Sequence, residues 1–182
     1  MTREEAYQLA KSRFTNPNLF KHVLAVEAVM RGLAMHFGED PERWGLAGLL
    51  HDLDYEETKE TPERHTMVTE QILLERGFSD EEVLHAIKAH NNRVPRQTRM
   101  DKAIYATDPV TGLIVAAALM HPSRKLEQID VPFILRRFKE KRFAAGANRE
   151  QIRSCEELGL SLEEFLGIAL KAMQGISAEL GL

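Results

Sequence analysis

The stretch GLLHDLDYEE, residues 48–57, places a histidine beside an aspartate directly after an apolar run. The run predicts the end of a buried helix, whose start is marked by the N-cap and first-turn pair Asp40 and Pro41. Neighbouring side chains diverge by about 100° inside a helix, but His51 and Asp52 can converge on one ion where the backbone leaves it. One such pair is common in proteins, so its meaning depends on partners elsewhere in the chain.

Apolar residues recur at helical spacing along almost the whole chain, and no segment shows the sustained apolar and polar alternation of strands. We therefore expect an all-α fold. Gly38 and Gly77 mark helix ends, while Thr61 and the capping boxes at Ser79 and Ser161 mark helix starts. The predicted helices lie within residues 16–38, 40–51, 61–77, 79–90, 100–121, 131–143, 148–158 and 162–179.

The division of the chain follows from the same pattern. Pro109 is expected to kink or divide the helix that lies within residues 100–121. No internal repeat, low-complexity segment or linker interrupts the sequence. We predict a single domain over residues 1–182, with a compact helical core over about 17–122 and a C-terminal helical extension over about 125–182.

Composition excludes several classes of protein. The chain has 182 residues, of which 43% are apolar and 29% charged, as in ordinary globular proteins and unlike collagen-like, disordered or disulfide-scaffold chains. Its formal net charge of -4 gives no electrostatic reason to expect nucleic acid as a partner.

The sequence predicts a cytoplasmic protein that has no membrane partner. A single cysteine, Cys155, cannot form an intramolecular disulfide and suits a reducing compartment. The first residues contain no apolar stretch of signal-peptide length. The longest apolar run, LIVAAALM at 113–120, is far shorter than the roughly 20 residues that span a bilayer. The sequence leaves the oligomeric state open.

Six residues of metal-ligand type come from five predicted helices or helix ends. Imidazole and carboxylate together suit Zn, Mn, Fe, Co or Ni, whereas an oxygen-only site favours Mg or Ca. Taken singly, His22, His65 and His90 are each better explained as a buried structural histidine. The six residues are His22, His51, Asp52, His65, His90 and Asp108.

The order of these residues resembles that of the HD superfamily of metal-dependent phosphohydrolases. In that family a histidine is followed by an adjacent His-Asp pair and then by a distal aspartate, all on an all-α core. The matching residues are His22 in FKHVLAVE, His51 and Asp52 in AGLLHDLDYE, and Asp108 in IYATDP. The resemblance covers residues 19 to about 120.

Members of the family with two metals carry two further histidines between the pair and the distal aspartate, where this chain has His65 and His90. The resemblance implies a dinuclear site for divalent transition metals. Asp52 would bridge two ions, of which one is bound by His65 and His90. The other ion would be bound by His22, His51 and Asp108.

The resemblance also implies a reaction. It is hydrolysis of a phosphate ester or anhydride by a metal-activated water, as in a phosphomonoesterase or phosphodiesterase. The substrate would be a nucleotide or another small phosphorylated metabolite. Two alternatives stay open: a dinuclear-iron oxygenase with the same residue pattern, and a noncatalytic metal- or nucleotide-binding module.

Acidic residues close to the His-Asp pair are further candidates. We predict both Asp52 and Glu56 as catalytic residues. Asp54 and Glu57 lie in the same acidic turn as Glu56. Any of these three carboxylates could position the water or orient a ligand histidine. A solvated acidic turn explains them as well.

Basic residues after the last histidine of the set are candidates for binding phosphate. Arg93 is predicted to be catalytic and substrate-binding, and Lys88 and Arg96 to be substrate-binding, because guanidinium and ammonium groups match phosphate charge. Arg99 lies close by in the sequence. An exposed basic loop is the alternative explanation for all four.

Overall fold

The computed structural model describes all residues, 1–182, and contains helices without any strand, which confirms the all-α prediction. Three short 3-10 turns, Pro62–Arg64, Leu126–Gln128 and Ser154–Leu158, join some of the helices. The α-helices are α1 Arg3–Arg13, α2 Pro17–Phe37, α3 Pro41–Leu50, α4 Tyr55–Thr58, α5 Met67–Glu75, α6 Glu81–Ala89, α7 Arg99–Met120, α8 Val131–Lys139, α9 Arg149–Arg153, α10 Leu162–Gln174 and α11 Ser177–Leu180.

Helices α2 and α3 form a tightly packed pair at the centre of the fold. Gly38 ends α2 with a φ of 70°, and Asp40 caps the start of α3 through Glu42 N and Arg43 N. A Cβ atom on Gly48 would lie 2.8 Å from the backbone nitrogen of Glu27, so only glycine allows this approach. The close packing holds the end of α3 beside α2.

Helix α7 is the long central helix, and it runs unbroken through Pro109. The prediction that proline divides this helix is therefore wrong. Proline has no N–H to donate to the carbonyl four residues earlier, that of Tyr105. The side chain of Gln151 replaces that donor, because its Nε2 lies 2.8 Å from the Tyr105 carbonyl oxygen. A residue from α9 thus satisfies the backbone group that proline leaves free.

Two helix starts differ from the sequence-based expectation. The helix expected from Thr61 begins at Met67, since Pro62–Arg64 form a 3-10 turn and Thr66 has a φ of 71° that breaks the helical path. The helix expected from Ser79 is capped one residue later, where Asp80 accepts from Val83 N at 3.2 Å. The Ser161 capping box is present as predicted.

The two ends of the chain join the same core. One cluster of 45 buried apolar residues runs from Ala6 to Leu180. Helix α1, which the sequence analysis did not predict, starts with a capping box between Thr2 and Glu5. The helices expected within 131–143 and 162–179 are shorter than predicted, ending at Lys139 and breaking between Gln174 and Ser177.

Helix α7 is also long and apolar enough to cross a membrane by length and composition alone. Of its most apolar 18-residue window, 56% is buried inside the protein. It packs against α2, α6, α8, α9 and α10. These contacts are typical of the core helix of a globular protein, for which the same test is weak evidence of a membrane span.

Candidate metal centre

The fold brings all six predicted ligand side chains to one place. His22 lies in the second turn of α2, His51 ends α3 with Asp52 directly after it, and His90 ends α6. His65 follows the 3-10 turn before α5, and Asp108 lies midway along α7. The site therefore depends on four helices packing with their functional residues towards a common point.

One group of ligands consists of two histidines and the distal aspartate. His22 Nε2 lies 3.0 Å from Asp108 Oδ1, and His51 Nε2 lies 3.8 Å from the same oxygen. The ligand atoms of all three residues fall within 4.8 Å of one another, close enough to bind one ion. The side chains of His22 and Asp108 are 24% and 30% exposed while that of His51 is fully buried, so this group opens towards solvent on one side.

The Nε2 atom of His51 is buried and has no hydrogen-bond partner. The other nitrogen, Nδ1, lies 2.8 Å from the carbonyl oxygen of Gly48 and donates to it. This hydrogen bond leaves the lone pair of Nε2 directed at the site. His90 is arranged in the same way, with Nδ1 2.5 Å from the Ile87 carbonyl oxygen. Buried imidazole nitrogens oriented by backbone carbonyls are typical of metal ligands.

Asp52 lies between two sets of histidines. Its Oδ2 is 3.4 Å from His51 Nε2 and 3.8 Å from His22 Nε2. Its Oδ1 is 3.3 Å from His65 Nε2 and 3.5 Å from His90 Nε2. Burial by itself raises the pKa of Asp52, but the neighbouring histidines outweigh burial and hold the pKa well below its usual value. The carboxylate is therefore ionised and has one oxygen available to each set.

His65 is oriented by a buried carboxylate. Its Nδ1 lies 2.7 Å from Asp54 Oδ1, and the other oxygen of Asp54 accepts from Thr69 N at 2.9 Å. Burial lowers the pKa of His65, but the hydrogen bonds to Asp52 and Asp54 outweigh it and raise the pKa to about 9. The sequence offered three acidic residues that could orient a ligand histidine, and in the structure Asp54 is the one that does so.

A cavity of about 630 Å³ is lined by five of the six side chains, all except the fully buried His51. Much of the cavity wall was not predicted from the sequence. The residues that were not predicted include Tyr55, Tyr105, Gln151 and the loop 144–147. For Asn91 and Asn92 the sequence did contain a signal that they line the site, because they directly follow His90. Nothing in the sequence near Gln151 indicated the site. The sixteen lining residues are Leu19, His22, Asp52, Tyr55, His65, His90, Asn91, Asn92, Tyr105, Asp108, Pro109, Gly112, Ala144, Gly146, Ala147 and Gln151.

The C-terminal part of the wall is held together by Arg149. Its guanidinium group donates to five backbone carbonyls in the last turn of α8 and in the segment that leads to α9. Within this loop Ala144 has a φ of 45°, a left-handed conformation that costs energy for a residue with a Cβ. The hydrogen bonds of Arg149 therefore fix an irregular loop against the cavity. The five carbonyls belong to Phe138, Glu140, Phe143, Ala144 and Ala147.

Glu56, the predicted catalytic residue, is not brought into the cavity. Its carboxylate accepts from Thr15 N at 2.7 Å and from Asn16 N at 3.1 Å, just before α2 begins. Glu57 pairs with Arg13 instead. Glu56 therefore stabilises the connection between α1 and α2, and the structure gives its predicted catalytic role no support.

The predicted phosphate-binding cations also have other partners. Lys88 Nζ lies 2.5 Å from Glu70 Oε1. Arg93 donates to the backbone carbonyls of Glu63 and His65. Arg96 donates to Asn92 and Glu157 and lies 3.9 Å from the centre of the Tyr105 ring. None of the three lines the cavity, and their contacts give the predicted phosphate-binding role no support.

Arg99 is likewise placed elsewhere, paired with Glu39 and lying over the ring of Phe37. At the site itself, the six ligand-type side chains fit divalent transition metals. Neutral imidazole and ionised carboxylate are the donors such ions prefer, and the unpartnered His51 Nε2 is explained by an ion that binds it.

Comparison with known proteins agrees with this arrangement. A family model described as HD domain matches residues 19–118. Ribonuclease Y of Thermoanaerobacter pseudethanolicus is 32% identical over 139 residues, which are 73% of this chain and 27% of that protein. The symmetrical bis(5'-nucleosyl)-tetraphosphatase of Halalkalibacterium halodurans is 28% identical over 130 residues, which are 59% of this chain and 68% of that protein.

The matches to ribonuclease Y concern a part of that protein, since this chain spans 18% to 28% of the length of those relatives. No solved structure gives a significant match. The family model, however, covers more than half of this chain and includes every one of the six ligand-type residues. The chain belongs to the HD domain family.

Proposed function

We propose that the protein is a metal-dependent phosphohydrolase that acts on a nucleotide or another small phosphorylated metabolite. The observation that carries the proposal is the position of Asp52, whose two oxygens face two different histidine sets at 3.3 to 3.8 Å. This is the arrangement expected of a carboxylate that bridges two ions. Family membership and the names of both kinds of relative support a hydrolase of phosphate-containing substrates.

The residues of the chain divide into two sets of ligands. His22, His51 and Asp108 would hold one ion, and His65 and His90 the other. When bound, two ions lower the pKa of a water and neutralise charge on phosphate oxygens. The rest of the chemistry belongs to the protein, which must hold the ligands in place and position the phosphate.

The proposed site is rigid on its buried side and open to the cavity on its other side. His51 and His90 are buried and fixed by backbone carbonyls, so the rear of the site cannot move far. His22 and Asp108 are partly exposed and line the cavity. A phosphate that enters the cavity therefore meets the site from the side of α2 and α7. Asp54 keeps the ring of His65 in the orientation that presents Nε2 to Asp52.

Elemental analysis tests the proposal first, on protein purified without a chelator or a histidine tag. We expect about two transition-metal ions per chain, in line with the two ligand sets. The loaded protein should release phosphate from a phosphate ester, with no uptake of dioxygen. Iron in the site together with substrate-linked dioxygen uptake would identify the oxygenase alternative instead.

Substitution of the bridging residue gives the matched comparison. Asp52→Ala should lose both metal retention and hydrolysis, because it removes the one carboxylate shared by the two sets. Glu56→Gln should retain both, because Glu56 contacts Thr15 and Asn16 outside the cavity. An active, metal-loaded Asp52→Ala variant would contradict the bridging role.

A further inference from the structure

The wall of the cavity has no permanently cationic side chain. None of its sixteen lining residues is lysine or arginine. The only charged groups other than the histidines are the carboxylates of Asp52 and Asp108, both placed in the proposed metal site. A polyanionic substrate normally needs several cationic side chains to hold its phosphates. The cavity can therefore hold a phosphate only where the metal ions are.

Two arginines beside the wall, Arg93 and Arg96, are used in structural contacts. Arg96 contacts Asn92 and Tyr105 of the wall, but its guanidinium also pairs with Glu157. Arg93 is bound to backbone carbonyls in the segment around His65. Moving either guanidinium onto a substrate phosphate would break these contacts. They offer no ready site for a second phosphate.

The charge of the occupied site matches a single phosphate group. Two divalent ions carry four positive charges, of which Asp52 and Asp108 neutralise two. Two positive charges remain, and a phosphomonoester close to neutral pH carries about two negative charges. Each additional phosphate of a longer chain would stay uncompensated inside the cavity. This step rests on the proposed dinuclear function.

The remainder of the wall offers neutral hydrogen-bonding groups. The Asn91 oxygen accepts from Arg93 N, which leaves its NH2 group for a ligand. Gln151 uses its Nε2 on the Tyr105 carbonyl, which leaves its Oε1. Tyr55 is 40% exposed and presents a phenol beside His65. Amides and phenols recognise hydroxyl, amide and ring groups without the need for charge.

We infer that the substrate is a phosphomonoester of an uncharged, hydrogen-bonding alcohol such as a nucleoside, and not a polyphosphate or an RNA strand. The volume of about 630 Å³ lies within the range of about 300 to 1,000 Å³ that small-molecule sites show. The specificity then differs from what the names of the relatives state, a tetraphosphatase and a ribonuclease.

Two exposed cations beside the wall provide a control. Lys141 and Arg142 precede Phe143 and Ala144 in the loop that Arg149 organises, but neither lines the cavity. A substrate that extends out of the cavity could reach them, whereas a small phosphomonoester should not. The double variant Lys141→Gln/Arg142→Gln therefore separates the two kinds of substrate.

The first experiment measures binding without metal. The mono-, di- and triphosphates of one nucleoside are titrated calorimetrically into protein from which metal has been removed with a chelator. We expect the three dissociation constants to agree within about threefold, or binding to be undetectable for all three, because the wall has no lysine or arginine to hold each added phosphate. Tightening of about tenfold with each phosphate would overturn the inference, since that is the effect of a charge-assisted contact.

The second experiment measures turnover by the metal-loaded protein. We expect kcat/KM for a nucleoside monophosphate to exceed that for a dinucleoside tetraphosphate and for a short RNA by at least about tenfold. The Lys141→Gln/Arg142→Gln variant should keep the monophosphate value. Equal or better turnover of the longer substrates, or a large loss in the double variant, would overturn the inference and leave the phosphohydrolase function standing.

The two proposals fail in different ways. Absence of hydrolysis for every phosphate substrate with every metal would contradict the proposed function. The calorimetric series still reports on the charge of the wall in that case, because it needs neither metal nor turnover. If chelation reduces the helical circular-dichroism signal, the same three nucleotides are compared as competitive inhibitors of the metal-loaded protein, with the same expected ratios.

Discussion

Asp54 shows how much a single residue outside the ligand set can decide. Its side chain is fully buried, and its two oxygens contact His65 Nδ1 and Thr69 N. A carboxylate in this position fixes the ring orientation of a ligand histidine and raises its basicity. The sequence placed Asp54 in an acidic turn with two other carboxylates, and only Asp54 turns inwards.

Asp54→Asn should weaken binding of the ion that we assign to His65 and His90 by about 10- to 100-fold, the usual effect of removing such a partner. The ion that we assign to His22, His51 and Asp108 should bind as before. Calorimetric titration of metal into the chelated variant measures both steps. Glu57→Gln is the matched control, because Glu57 lies in the same turn but pairs with Arg13. Equal loss of both ions, or of neither, would contradict the assigned role.

The raised pKa of His65 predicts a pH dependence of stability in the metal-free protein. The folded-state pKa of about 9 lies above the ordinary value of 6.5, so protonation of His65 favours the folded state. This contribution is fully present below pH 6.5 and is lost as pH rises to 9. Its upper bound is about 3 kcal/mol, reduced where solvent screens the charge.

Urea denaturation between pH 6 and pH 9.5 measures this effect. The free energy of unfolding of the chelated wild type should fall across the window, and His65→Gln should make the fall shallower. His121→Gln, which removes a histidine outside the site, should leave it unchanged. A profile that stays the same in His65→Gln would show that other groups cause the dependence.

At the scale of secondary-structure elements, the contact of α2 with α3 positions the site. Gly48→Ala should destabilise the protein by about 1–3 kcal/mol, because the added methyl group meets the backbone at Glu27, which cannot move aside as a side chain can. It should also weaken metal binding, because displacement of α3 from α2 would move His51 away from His22.

Gly167→Ala is the control for this substitution. Gly167 lies inside α10, where a Cβ would meet only Val131 at an ordinary distance of 3.8 Å. Alanine should stabilise that helix by about 0.5–1 kcal/mol. Thermal unfolding and metal titration of both variants check the comparison. A Gly48→Ala variant as stable as the wild type would mean that the two helices can separate at no cost.

The loop before α9 is the element through which the C-terminal part reaches the cavity. Arg149→Met removes the donors to five carbonyls and keeps an unbranched apolar stem. We expect KM to rise by about tenfold with a smaller change in kcat, because the loop would position the substrate and would not touch the reacting atoms. Metal content should not change.

Steady-state kinetics with a phosphomonoester and elemental analysis of the same sample check this expectation. Arg153→Met is the control, because Arg153 lies one turn further along and packs only over the ring of Phe138. Loss of metal in Arg149→Met, or an unchanged KM, would remove the loop from substrate positioning.

At the scale of the whole molecule, the proposed ions join four helices. A metal that binds only the native state adds to its stability in proportion to the logarithm of its concentration, by about 4 kcal/mol at a thousand times its dissociation constant. Removal of metal with a chelator should therefore lower Tm by roughly 10 °C for a protein of this size. Scanning calorimetry before chelation, after it and after metal is added back measures the change. Asp52→Ala should show no shift, and a Tm of the wild type that ignores chelation would argue against these ions.

Much of the fold could be predicted from local pattern. Helical spacing gave the all-α class, and the caps at Asp40, Gly38 and Ser161 marked boundaries that the structure confirms. Predictions failed where a contact distant in sequence competes with the local preference. Pro109 does not divide α7, because Gln151 satisfies the freed carbonyl. The segment after Thr61 leaves the helical path where His65 bonds to Asp54.

The sequence by itself determined the helical class and the set of six ligand-type residues. The reason is that the helical period and the order of His and Asp are both patterns in the linear sequence. The tertiary structure decided which other residues join them. It excluded Glu56 and the three cations from the cavity, turned Asp54 inwards, and brought Gln151 and the loop 144–147 to the wall. The physical reason is that side-chain direction depends on the packing of helices distant in sequence, and no local spacing encodes that packing.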